Sequence, residues 1–123
     1  MTPIDPLIDR YIEAWNENDP VRRRELVART WTETATYLDP ALEAQGQPAI
    51  ESMIEAVQAR FPGARFRRTG GMDIHHDHVR FPWALGPADG PPIVAGVDFA
   101  QIAPDARLAS VTGFFDAAPA TQA

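Results

Sequence analysis

The sequence predicts an α+β domain in which three helices come first and a curved antiparallel sheet then packs against them as a cone. Three observations carry this. As far as Phe61 the apolar residues recur mainly at helical spacing. From Val79 onward they alternate one by one, as along strands. Breaks rich in Gly and Pro divide the later part into hairpins. A chain of 123 residues suits one core rather than two, so residues 1–116 are expected to form a single domain. Residues 117–123 are small and featureless and are expected to fray.

The elements follow in order. Ile4, Leu7, Ile8, Tyr11, Ile12 and Trp15 make one helical stripe, with Tyr11 inside it. Asp19-Pro20 supplies an N-cap and a first-turn proline for a second helix carrying Val21, Leu26, Val27 and Ala28. Residues 35–40 then read as a short strand that stops at Pro40. Ala35, Tyr37 and Asp39 lie on one face, and Thr34, Thr36 and Leu38 on the other. Gly46-Gln47-Pro48 opens a third helix through Ile50, Met53, Ile54, Val57 and Phe61, and Pro62-Gly63 ends it. Residues 66–75 are strand-like but interrupted by Gly70-Gly71. Val79, Phe81, Trp83 and Leu85 form a strand in which Pro82 predicts an edge position or a bulge. Residues 93–102 and 108–115 complete the sheet.

Composition excludes several functions. No cysteine is present, which rules out disulfides, thiol nucleophiles and cysteine metal sites. The formal net charge of -6 argues against a nucleic-acid partner, which would need a basic footprint. Arg22-Arg23-Arg24 and Arg65, Arg67 and Arg68 are expected to be solvated faces. No apolar run approaches the ~20 residues of a membrane span, and no targeting segment is evident, so the cytoplasm is the expected compartment.

Three polar side chains could converge inside the cone. Pro40 cannot donate to a ladder, so Asp39 should stand at a rim, either as a solvated strand end or as a working acid or base. Tyr11 comes from the buried stripe of the first helix. Asp98 shares its strand face with Val94, Gly96, Ala100 and Ile102, where burial would raise its pKa. The alternative for Asp98 is an ion pair with Arg80 or Arg107. Trp15, Trp31, Met53, Trp83 and Phe115 are core-type residues, some of which must line the pocket, Trp83 and Phe115 first among them. His76 and His78 could share a strand face and hold a metal, but Asp77 lies where a polar hairpin turn is expected. No metal or other cofactor is expected.

Residues 10–16 with Asp19, residues 35–40 with Gly46 and Ala49-Ile50, and residues 93–99 with 110–115 resemble the nuclear-transport-factor-2-like superfamily, in its SnoaL-like and ketosteroid-isomerase-like branch. The resemblance implies a cystatin-like α+β barrel that pairs as a homodimer. It also implies roles for three residues. Asp39 would be the base that moves a proton, while Tyr11 and a protonated Asp98 would hold the substrate's carbonyl oxygen. Tyr37, Trp15, Met53, Trp83 and Phe115 would contact the substrate. Two departures stand out: Ile54 occupies the position of the isomerases' supporting tyrosine, and Tyr37 fits the SnoaL-like branch better than a steroid isomerase. Gly96 and Ala100 flank Asp98 where the related epoxide hydrolases carry an arginine–aspartate pair.

The leading expectation is an enzyme that shifts a proton next to a carbonyl on a small, apolar, cyclic carbonyl or phenolic ligand. The alternatives are a ligand-binding SnoaL-like protein without catalysis, and a SnoaL-like polyketide cyclase or hydrolase. The apolar residues Ile93, Val97, Phe99 and Phe114 on the outer strand face suggest a dimer packed sheet to sheet.

Overall fold

The structure, a computed structural model, describes residues 4–116; the expected fraying tail at 117–123 lies outside them. Helix α1 (Ile4–Asn16) buries Leu7, Ile8, Tyr11, Ala14 and Trp15, the stripe visible in the sequence. Helix α2 (Pro20–Thr30) begins at Asp19, whose side chain accepts the Arg22 N–H, and has Pro20 in its first turn. Helix α3 (Gln47–Arg60) follows Gly46, whose φ of 86° suits glycine. The strands are β1 (Trp31–Leu38), β2 (Glu43–Gln45), β3 (Arg65–Arg68), β4 (Asp73–His75), β5 (His78–Gly86), β6 (Val94–Ile102) and β7 (Leu108–Phe115).

The sheet runs β2-β1-β7-β6-β5-β3, with β4 also paired to β5. It is curved but not closed, and it is mixed rather than wholly antiparallel, because β1 runs parallel to β7. The expected α+β cone of a curved sheet on three helices is what the structure shows, and only the wholly antiparallel order is corrected. Antiparallel order was inferred from hairpin signals, and those exist only between neighbours in sequence. The β1–β7 pairing joins strands separated by most of the chain.

Pro82 is not at an edge, and the irregularity sits in its neighbour. β5 lies between β6 and the β3/β4 pair, and the Pro82 carbonyl accepts the Thr69 N–H just where β3 stops. The missing donor of Pro82 therefore faces the break at Gly70-Gly71. A side chain on Gly70 would come within 3.0 Å of the proline ring. The other end of that broken strand folds back through the turn His76-Asp77, which pairs His75 with His78. Among the described residues, no group of three or more His, Asp or Glu side chains could hold a metal ion.

One arginine also departs from expectation. Arg22 and Arg24 are exposed, but Arg23 is buried. It meets Glu51 of α3 at 2.8 Å and Gln58 at 2.9 Å, and it donates to the Glu17 and Asn18 carbonyls past the end of α1. A buried guanidinium needs such partners, and here they tie the three helices together. Arg65, Arg67 and Arg68 are exposed as expected. No helix among the described residues is long and apolar enough to cross a membrane.

Candidate functional site

The inner face of the sheet and the buried face of α1 enclose two adjoining cavities. The larger, about 280 Å³, opens between α3 and the ends of β1, β5 and β6. Its walls include Trp15, Tyr37, Phe61, Phe66, Trp83 and Phe115, and Asp39 is the one acid in its lining. The smaller, about 10 Å³, lies deeper and is bordered by Tyr11 and Asp98. Trp15, Tyr37, Phe66 and Trp83 border both, so these four rings form the wall between them. Their contacts are close: Trp15 to Phe66 is 4.9 Å and Trp15 to Tyr37 is 5.6 Å between ring centres.

Asp39 follows the last residue of β1 and is buried. Its Oδ1 accepts the backbone N–H groups of Ala41 and Leu42, both at 2.8 Å, while Oδ2 accepts the Tyr37 hydroxyl at 2.7 Å. The strand delivers the carboxyl group and the turn at Pro40 fixes it. One oxygen is committed to the backbone, and the other keeps a free lone pair beside the pocket. Burial, followed by the nearby carboxylates of Asp98 and Asp39, raises the Tyr37 pKa and keeps its hydroxyl a neutral donor.

Asp98, at the middle of β6, is only 3% exposed. Neither arginine proposed as its partner reaches it, because Arg80 pairs with Asp73 and Arg107 with Asp105 on the exposed side. Instead its Oδ2 accepts the Tyr11 hydroxyl at 2.7 Å and its Oδ1 accepts the Trp83 indole N–H at 2.9 Å. Burial lifts its pKa to about 7, opposed by the hydrogen bonds from Tyr11 and then Trp83, with a small further rise from the Asp39 charge. Burial also raises Tyr11 well above its ordinary value, and the Asp98 charge adds to the rise. Gly113 on β7 leaves room for both acids. A Cβ there would stand 2.7 Å from Asp98 Oδ1 and 3.3 Å from the Asp39 Cβ.

Of the side chains singled out in the sequence, Asp39, Tyr37, Trp15, Trp83 and Phe115 line the larger cavity, and Tyr11 and Asp98 lie behind its inner wall. Met53 does not line it; it packs in the helix–sheet core with the fully buried Ile54. Sequence reasoning missed Phe66, which closes the wall, and Arg60, the one cation in the lining. Phe66 sat in an ambiguous segment, and Arg60 looked like any last-turn arginine.

No protein-family model and no curated protein matches the chain, but solved structures do. A proposed isomerase of the SnoaL-like family from Agrobacterium tumefaciens is 39% identical, with a TM-score of 0.86 over 91% of this chain and 96% of that one. The chain belongs to the SnoaL-like family. Two more distant structures share the fold. A proposed polyketide cyclase from Sinorhizobium meliloti is 19% identical with a TM-score of 0.70, covering 91% of this chain and 94% of that one. A protein of ketosteroid-isomerase-like fold from Catenulispora acidiphila, in complex with trimethylamine, is 18% identical with a TM-score of 0.74, covering 94% and 88%.

Proposed function

We propose that this protein is an isomerase-type enzyme that moves a proton next to a carbonyl on a small cyclic ligand, with Asp39 as the base. The observation that carries this is a carboxylate with one free lone pair in the lining of an apolar pocket, behind whose aromatic wall lies a second, buried acid paired with a tyrosine. On a β,γ-unsaturated ring ketone Asp39 takes the proton α to the carbonyl, the resulting dienolate oxygen is held at the Tyr11 end, and Asp39 returns the proton to the γ-carbon as the double bond moves to the α,β position. The 39% identical relative is itself a proposed isomerase, which supports the same class.

The deep pair has a physical logic for this chemistry. With Asp98 ionised, the Tyr11 hydroxyl donates to it and its hydrogen is not free. When Asp98 gains a proton, its own O–H can donate to the Tyr11 oxygen, and the Tyr11 hydrogen can turn towards the ligand. An Asp98 with a pKa of about 7 is poised for that exchange near neutral pH.

Pocket size bears on the substrate. A cavity of about 280 Å³ lies at the bottom of the ~300–1,000 Å³ range of drug-sized sites, which favours one or two rings over a four-ring steroid. A thermal-shift panel of cyclohexenones, bicyclic enones, phenols, naphthols and steroids tests this. One- and two-ring compounds should raise the melting temperature and steroids should not. Stabilisation by steroids alone would overturn the size argument.

A non-catalytic binder is the second reading, favoured by the ring wall that separates Tyr11 and Asp98 from the larger pocket. We also infer a homodimer through the outer sheet face. There Phe99 and Phe114 stack edge to face with ring centres 5.6 Å apart, and they are 42% and 57% exposed. Sedimentation at micromolar concentration should show a dimer, and Phe114→Glu should yield monomers. A strictly monomeric wild type would contradict it.

A further inference from the structure

Three indole N–H groups are buried in this protein, and one has an unusual position. That of Trp83 is satisfied by Asp98. Those of Trp15 and Trp31 have no hydrogen-bond partner among the described residues. Trp31 borders neither cavity of the site, whereas Trp15 borders both. Trp15 lies four residues after Tyr11 on α1, so the two side chains project from one helix face. The two rings stand edge to face with centres 6.4 Å apart. Trp15 weakly opposes the rise in the Tyr11 pKa. A donor that is 4% exposed and unpaired costs stability. Here it borders the small cavity that Tyr11 and Asp98 also border.

Building on the site as read above, we propose that the Trp15 indole N–H and the Tyr11 hydroxyl together receive one acceptor oxygen of the ligand, a phenolate or an enolate. The small cavity, about 10 Å³, has the size of a single water-sized atom, so it admits the oxygen and no more of the ligand once the four rings part. The rest of the ligand occupies the larger cavity. An indole N–H can neither accept nor titrate, and once a protonated Asp98 donates to the Tyr11 oxygen, with Trp83 still held at Asp98 Oδ1, the Tyr11 hydrogen is free for the ligand. The pair of donors therefore selects an oxygen that accepts without donating. Trp15 is thus a specificity-determining contact, beyond its part in the aromatic wall.

The test uses the full chain, labelled with ¹⁵N, and 2-naphthol as the probe. The Trp15 indole signal is identified by its loss in Trp15→Phe. Titration with 2-naphthol should move that signal downfield, and a series of substituted phenols should move it further as their acidity rises. Trp15→Phe keeps an aromatic ring, though a smaller one, and removes the donor. It should weaken 2-naphthol binding roughly ten- to hundredfold, well beyond its effect on naphthalene, which offers no acceptor oxygen but loses the same ring contact. Suppose wild type binds and Tyr11→Phe weakens binding, but the Trp15 signal and the Trp15→Phe affinity do not change. Then the Trp15 contact is wrong and the site stands. If wild type does not bind, or Tyr11→Phe binds as well as wild type, the reading of the site fails and the Trp15 contact fails with it.

Discussion

Replacing Asp39 by Asn should lower turnover roughly 10²–10⁴-fold, the usual contribution of a positioned base. The variant should fold normally. The amide oxygen can keep the two backbone donors of Ala41 and Leu42, and the amide nitrogen can donate to the Tyr37 hydroxyl, which then acts as acceptor. The pocket lining keeps its shape, so affinity for a phenol should stay near wild type. Steady-state kinetics on a responsive ring ketone, together with a melting curve, separates the two effects. Wild-type turnover in Asp39→Asn would remove Asp39 from the base role.

Asp98→Asn has the second large expected effect, and it is read in stability against pH. The folded state holds the Asp98 proton up to about pH 7, while the unfolded chain releases it near ~3.9. The extra stability is therefore fully present below ~3.9 and is lost as pH rises through about 7, by up to about 4 kcal/mol. Asn does not titrate. It can donate to the Tyr11 oxygen and accept from Trp83, the same pattern as protonated Asp98. The melting temperature of Asp98→Asn relative to wild type should therefore climb between pH 4 and 7 and level off above. A variant less stable than wild type throughout pH 5–8 would mean that Asp98 contributes as a carboxylate, and the neutral-acid role would fall.

The parts of this fold that local chemistry controls were readable in advance. The apolar stripe of α1 put Tyr11 and Trp15 on one buried face, and Pro40 stopped β1 beside Asp39. Asp98 stood out because its strand-face neighbours are small and apolar. What escaped depends on contacts between distant segments. The parallel β1–β7 pairing leaves no local trace. Pro82 was read against its own strand, whereas the break that accommodates it lies between β3 and β4. Arg23 looked like its exposed neighbours until Glu51 and Gln58 of α3 came into reach. The aromatic wall needed Phe66 from a segment whose pairing the sequence left open, and Met53 turned to the core because α3 presents that face to β1.

Proton exchange decides most directly whether this pocket is catalytic. Small saturated one- and two-ring ketones, which can enolise but not isomerise, should lose their α-protons faster than in buffer when incubated with wild-type protein in D₂O and followed by proton NMR. The rate should fall towards the buffer rate in Asp39→Asn, and exchange should be confined to the positions next to the carbonyl. Ketones that bind with a clear thermal shift but exchange no faster than in buffer would contradict the enzyme and leave a ligand-binding protein.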